Sequence, residues 1–247
     1  MSNSKLVSYT KLSPNHSGKR THSIDRITPH CLPGQLTLAT VGSIFAKKSK
    51  QASANYAIGR DGKIGLYVAE CNRSWCSSSP KNDQRAVTIE CASELESPYE
   101  FNTKVWKSLV KLCTDICERN GKTKLLWLGT KSKTLTYSPK SNEMVLTVHR
   151  WFANKTCPGD WMMKHMDELA EEVTKNLGDD SQEVTKNLED DSQEVPFTVT
   201  IKKETKIKKS ASAKSATVDT ISSGVYTIVE VVNDYGKLKS GLGYIKL

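Results

Sequence analysis

The chain has 247 residues, enough for one medium domain and a smaller second one. Only 37% of them are hydrophobic, low for a single compact core, so part of the sequence is expected as linker or exposed surface. The formal net charge of +9 favours polyanions, but no helix-turn-helix, zinc-finger or ribonucleoprotein signature accompanies it, which argues against a specific nucleic-acid reader.

No run approaches the roughly 18 apolar residues of a membrane span, so no membrane insertion is expected. The opening Met-Ser-Asn-Ser-Lys lacks the apolar core of a secretory signal. Cytoplasmic synthesis is therefore the expectation. Seven cysteines at irregular spacing do not read as a disulfide framework, which fits a reducing compartment.

In chain order, Ile24 to His30 reads as a strand stopped at Pro29-His30. Leu36 to Ala46 has helical spacing. Asn55–Ile58 and Ile64–Val68 flank Arg60-Asp61-Gly62-Lys63, a hairpin signal. Ala86 to Cys91 is a short buried strand that contains Glu90, a carboxylate costly to bury without a partner or a task. Thr103 to Asn120 is the strongest helix, with Val105, Trp106, Leu109, Leu112, Cys113, Ile116 and Cys117 on one face and Gly121 to stop it. Lys124–Leu128 and Met144–His149 supply two more strands, and Asp160 to Leu177 a second long helix capped by Asp160.

The segment 172–182 then recurs at 183–193 with one change, Gly178 to Glu189. Two acidic copies of this length cannot build a solenoid and read as a solvated spacer. After Pro196 short strands follow at Phe197–Ile201, Tyr226–Val232, Gly236–Leu238 and Gly243–Leu247, a small lysine-rich β-barrel pattern.

The stretch from Val148 to Gly159 carries the most chemistry. It sets an imidazole at His149, an ammonium at Lys155 and a thiol at Cys157 close together. Zinc favours imidazole and thiolate, and a catalytic zinc takes three protein ligands and leaves one position open. His30 is the candidate for the third. Trp75, Trp127, Trp151 and Trp161 are candidates for a glycan or peptide groove, with core packing the commoner fate. His16, His22 and His165 fit no pattern and read as surface residues.

Residues 20 to 177 resemble the amidase-2 type zinc N-acetylmuramoyl-L-alanine amidases, which include phage endolysins and peptidoglycan-recognition proteins. Ile27-Thr28-Pro29-His30 is similar to the first strand ending in a metal histidine. Asn82 to Glu90 resembles the Asn-Asp-x-Ser-Ile-Gly-Ile-Glu strand. His149, Lys155 and Cys157 match the second histidine, the lysine and the last ligand, and Tyr56 to Gly62 is similar to the family's Arg-Asp-Gly hairpin. Members without the strand glutamate carry a tyrosine two residues before the position of Tyr56, where this chain has Ala54, so Tyr56 is expected as a core aromatic. Val225–Val229 and Tyr235–Ile245 resemble a bacterial SH3-like cell-wall module, with tyrosines in place of both tryptophans.

The resemblance implies an α/β fold with a mixed central sheet flanked by helices, then a small all-β SH3-like barrel. It implies domains at 1–177 and 196–247 with the acidic spacer at 178–195. It implies Zn2+ on His30, His149 and Cys157, with Glu90 as the proton-transfer group and Lys155 as the oxyanion donor. The implied partner is bacterial peptidoglycan, cut between the lactyl group and L-alanine, by an endolysin that a holin releases from the cytoplasm. Three rivals remain: an inactive recognition module, a thiol peptidase using Cys31, read as starting a helix, with His149 as base, and a structural or nucleic-acid role for the basic surface.

Overall fold

The computed structural model describes residues 2–178, 196–212, 215–232 and 235–247. The chain divides into two compact units, Met1–Gln182 and Glu183–Leu247. Apart from Gly178, the expected spacer at 178–195 lies outside the described residues.

Among the described residues the first unit has nine strands: β1 (Val7–Thr10), β2 (His16–Lys19), β3 (Arg26–Pro33), β4 (Tyr56–Ile58), β5 (Ile64–Leu66), β6 (Asn72–Ser74), β7 (Ala86–Ser93), β8 (Lys124–Leu126) and β9 (Glu143–Leu146). Its helices are α1 (Leu38–Phe45), α2 (Pro80–Asp83), α3 (Thr103–Arg119), α4 (Lys131–Thr136), α5 (Asp160–Lys164) and α6 (Met166–Gly178). Seven strands form a mixed sheet in the order β1-β5-β4-β7-β3-β9-β8, and β2 pairs with β6 apart from it. Only the β4–β5 hairpin is antiparallel within that sheet. Parallel strands need both faces covered. One face meets α3 and α6 through Ile27, Val87, Ile89, Leu109, Leu112, Ile116, Leu169 and Val173. Leu38, Val41 and Phe45 of α1 cover Ala57 and Tyr67 on the other.

The strand expected to stop at Pro29-His30 continues to Pro33. Asp25 and Ile27 give their carbonyls to Val145 and Thr147, so alternate residues of β3 face β9. Pro29 shares that parity and lies beyond the last pair, Ile27 with Leu146. Its missing N–H therefore faces no partner strand, and no ladder bond is lost.

The long helix expected from Asp160 is two helices. His165 Nδ1 lies 2.7 Å from the Trp161 carbonyl, the acceptor its own backbone N–H would take in a continuous helix, and that N–H bonds Met162 instead. Asp160 is the first helical residue rather than the cap. The cap position is Gly159, where φ is +87° and an added Cβ would meet Tyr99 Cβ at 2.8 Å, which leaves no room for a side chain.

The second unit is a six-stranded antiparallel sheet: β10 (Phe197–Ile201), β11 (Thr205–Lys208), β12 (Thr217–Ile221), β13 (Gly224–Val232), β14 (Tyr235–Leu238) and β15 (Tyr244–Lys246). The order is β10-β13-β14-β15-β11-β12, around a core of Ile207, Ile221, Ile228, Leu238 and Ile245. β11 and β12 escape the sequence pattern because they are rich in threonine and lysine, with single isoleucines to bury. Among the described residues no helix is long and apolar enough to cross a membrane.

Candidate metal centre

His30 and Glu90 are register partners on the adjacent parallel strands β3 and β7. Side chains of paired residues point to the same face, so imidazole and carboxylate stand side by side. His30 is 1% exposed, and Glu90 is half-buried. His149 does not end a strand as expected. It begins a single 3-10 turn, His149–Trp151, past the end of β9. That turn brings its ring to 5.1 Å from the His30 ring, centroid to centroid. Cys157 Sγ lies 3.2 Å from His30 Nδ1. Ligand atoms of His30, His149 and Cys157 all fall within 4.8 Å of one another.

Arg150 shapes the loop that joins the last two. Its backbone N–H donates to the Cys157 carbonyl at 3.0 Å. Its guanidinium donates to the Thr156 carbonyl and pairs with Asp160 at 3.1 Å. From the other side, Ser78 Oγ lies 2.9 Å from His149 Nε2, which leaves Nδ1 of that ring for another partner. Ser79 caps the one-turn α2, with Pro80 at its first position. Asp83 at the end of that turn accepts the backbone N–H groups of Cys76 and Ser77, each at 3.2 Å.

A buried polar network lies beneath. Asn82 donates to Thr28 Oγ1 at 3.0 Å and to Ser77 Oγ at 3.3 Å. Its carbonyl oxygen accepts from Arg26 at 3.2 Å and from Thr147 at 3.1 Å. Thr28 and Thr147 also share a 2.7 Å hydrogen bond. Each precedes a histidine by two positions, Thr28 before His30 and Thr147 before His149. Asn82 thus ties both histidine-bearing segments to the Ser77–Ser78 loop.

Burial pushes the His30 imidazole down to about 3, with His149 adding to the effect. Burial and then the nearby Lys155 charge also lower His149. Both rings are therefore neutral, the form that binds metal. Cys157 is pushed up by its hydrogen bond to Cys31 and then by burial, so a metal must displace its proton. Burial raises Glu90 to about 7, against smaller opposing effects of the Cys76 thiol and Lys50. Lys155 itself is exposed. Two neutral imidazoles and a thiol at this separation suit the donor set and count of a zinc site, so the residues fit the metal that the sequence pattern implied.

Tyr56 is fully buried and donates to Glu70 Oε1; Glu70 in turn pairs with Arg119 at 2.6 Å. It belongs to the core, as expected. Cys31 lies inside β3 rather than at a helix start, so it lacks the helix N-terminus that would activate a thiol. Its thiol meets Cys157, not His149. His165 is not a bare surface residue: it stacks on Trp161 at 3.9 Å and meets Trp106. Trp161 is absorbed in that aromatic cluster with Phe101. Trp127 and Trp151 stack on each other at 5.2 Å and stay half-exposed, and Trp75 bonds Ser17. Sequence reasoning missed Ser78 and Arg150, for which no spacing gave a signal, and gave Asn82 no role beyond opening the Asn82–Glu90 likeness.

The profile of the family described as N-acetylmuramoyl-L-alanine amidase matches residues 20–160. A structure of the Staphylococcus aureus hydrolase AmiA in complex with its ligand is 12% identical with a TM-score of 0.50, covering 68% of this chain and 82% of that one. The AmpD structure, a selenomethionine derivative, is 17% identical with a TM-score of 0.47, covering 72% and 99%. A mutant endolysin from Bacillus subtilis is 15% identical with a TM-score of 0.42, covering 67% and 97%. A search of curated protein sequences returns no match.

Proposed function

The chain belongs to the N-acetylmuramoyl-L-alanine amidase family, and from that premise we propose that it is a zinc-dependent peptidoglycan hydrolase. The bond cut joins the lactyl group of N-acetylmuramic acid to L-alanine. One observation carries the reading: His30, His149 and Cys157, from a central strand, a turn and a loop, bring their ligand atoms within 4.8 Å of one another beside Glu90.

Zinc held by these three residues supplies a water of lowered pKa and a polarised carbonyl. Glu90, held near neutral pKa by burial, accepts the proton of the attacking water and returns it to the departing amine, a role worth about 10²–10⁴ in rate. Lys155 offers its ammonium to the negative charge growing on the carbonyl oxygen, comparable to one oxyanion donor at about 3 kcal/mol. Ser78 and the Arg150 clamp hold His149 and Cys157 in place. The antiparallel second unit acts as an SH3-like module that keeps the enzyme on the cell wall. The whole chain serves as an endolysin, made in the cytoplasm and released by a partner that opens the membrane.

The test is incubation of purified sacculi with the zinc-loaded protein. New L-alanine N-termini with intact glycan strands, lost on chelation, are the expected result. Binding to sacculi without new N-termini would favour a recognition module instead. A chain ending at residue 195 is expected to cut soluble muropeptides while losing its hold on sacculi.

A further inference from the structure

His30 belongs to a second cluster as well. Ligand atoms of His30, Cys76 and Glu90 lie within 4.8 Å of one another, the one other such group among the described residues. Cys76 reaches the site from the loop between β6 and α2, fixed there because Asp83 accepts its backbone N–H. Its thiol donates to Glu90 Oε1 at 3.7 Å. The half-buried thiol and the half-buried carboxylate already face each other, and sulfur and oxygen are both zinc ligands.

The third donor is the telling one. His30 Nδ1 faces Cys157, whereas Nε2 of the same ring is buried with no hydrogen-bond partner. A buried ring nitrogen normally has a partner, and one without calls for an explanation such as an ion. We propose that His30, Cys76 and Glu90 form a second position for zinc or another thiophilic divalent cation, filled when the metal is in excess. With both positions filled, His30 gives up its remaining ring proton and serves as imidazolate, and Cys76 binds as thiolate, both protons passing to solvent. Occupation takes Glu90 as a ligand. Under the amidase reading this withdraws the proton-transfer group, so the second position inhibits.

Metal binding and inhibition are tested separately, so a failure of the amidase reading leaves the site itself open to measurement. Cobalt replaces zinc and reports each thiolate ligand by a sulfur-to-cobalt charge-transfer band. In C157S the first set has lost its thiolate; the band is expected to persist through Cys76 and to vanish in C157S/C76S and C157S/C76A. Absence of the band in C157S, or its survival in both double variants through Cys31, would overturn the proposal. In the unaltered chain, equilibrium dialysis against excess zinc is expected to give two equivalents, falling to one in C76S. One equivalent in both would equally overturn it. Turnover on sacculi is expected to fall with excess zinc in the unaltered chain and to hold in C76S.

Discussion

Replacing Asn82 by Ala removes a side chain that bridges both histidine-bearing segments and the Ser77–Ser78 loop. Three hydrogen bonds to hydroxyls and one to the buried Arg26 guanidinium are lost together. A neutral bond contributes about 0.5–1.5 kcal/mol and one to a charged group about 1.5–3, with a further penalty for partners left dry. The Thr28–Thr147 bond survives the change, and water can enter the space the amide leaves. The net loss is therefore set at about 3–5 kcal/mol, at the upper end for a single substitution. Urea unfolding of the metal-free protein measures it. A second readout separates positioning from bulk stability: zinc affinity, by chelator competition under fully folded conditions, is expected to fall about 10–100-fold, as for loss of a residue that orients metal ligands. Asn82→Asp keeps the acceptors for Arg26 and Thr147 and is expected to recover part of both. A loss below about 1 kcal/mol with unchanged zinc affinity would refute the reasoning, because it would mean the network carries no load.

Glu90→Gln is expected to lower turnover by about 10²–10⁴ with zinc content unchanged, read by metal analysis beside release of L-alanine N-termini. In the metal-free protein burial raises Glu90 from its ordinary 4.5 to about 7, so the folded state holds its proton more tightly than the unfolded. This contribution is fully present below about 4.5 and is lost as pH rises through 7. Stability should fall over that window in the unaltered chain and less so in Glu90→Gln. Uptake of the first zinc equivalent should release the Cys157 proton but none from His30, which is neutral down to about 3; dye-monitored proton release near pH 6 to 7 checks this. Cys31→Ala is expected to leave most activity in place, and its abolition would restore the thiol-peptidase reading.

Most of the first unit was legible because its elements bury faces with a clear period. The face of α3 read from Val105 to Cys117 is buried as expected except for the half-buried Trp106, and the Asp61-Gly62 turn joins the predicted hairpin. Elements that bury little of their own went unseen: β1 and β2 alternate half-buried with exposed residues, and α2 is a single capped turn. The break at His165 was hidden too, since it depends on a side chain competing for one carbonyl.

The sequence alone determined the chemistry available: two imidazoles, a thiol, a carboxylate within a buried strand, and a lysine close by in the chain. Residue type and strand parity suffice for that, because parity sets which side chains share a face. Only the tertiary structure decided which of them meet. His30 and Cys157 are separated by most of the first unit in sequence, yet their ring and sulfur atoms approach to 3.2 Å. That closeness depends on β3 running on through Pro29, on a turn after β9, and on a loop clamped by Arg150. Asn82 and Ser78 join the site through hydrogen bonds between distant segments, which leave no periodic trace in a chain.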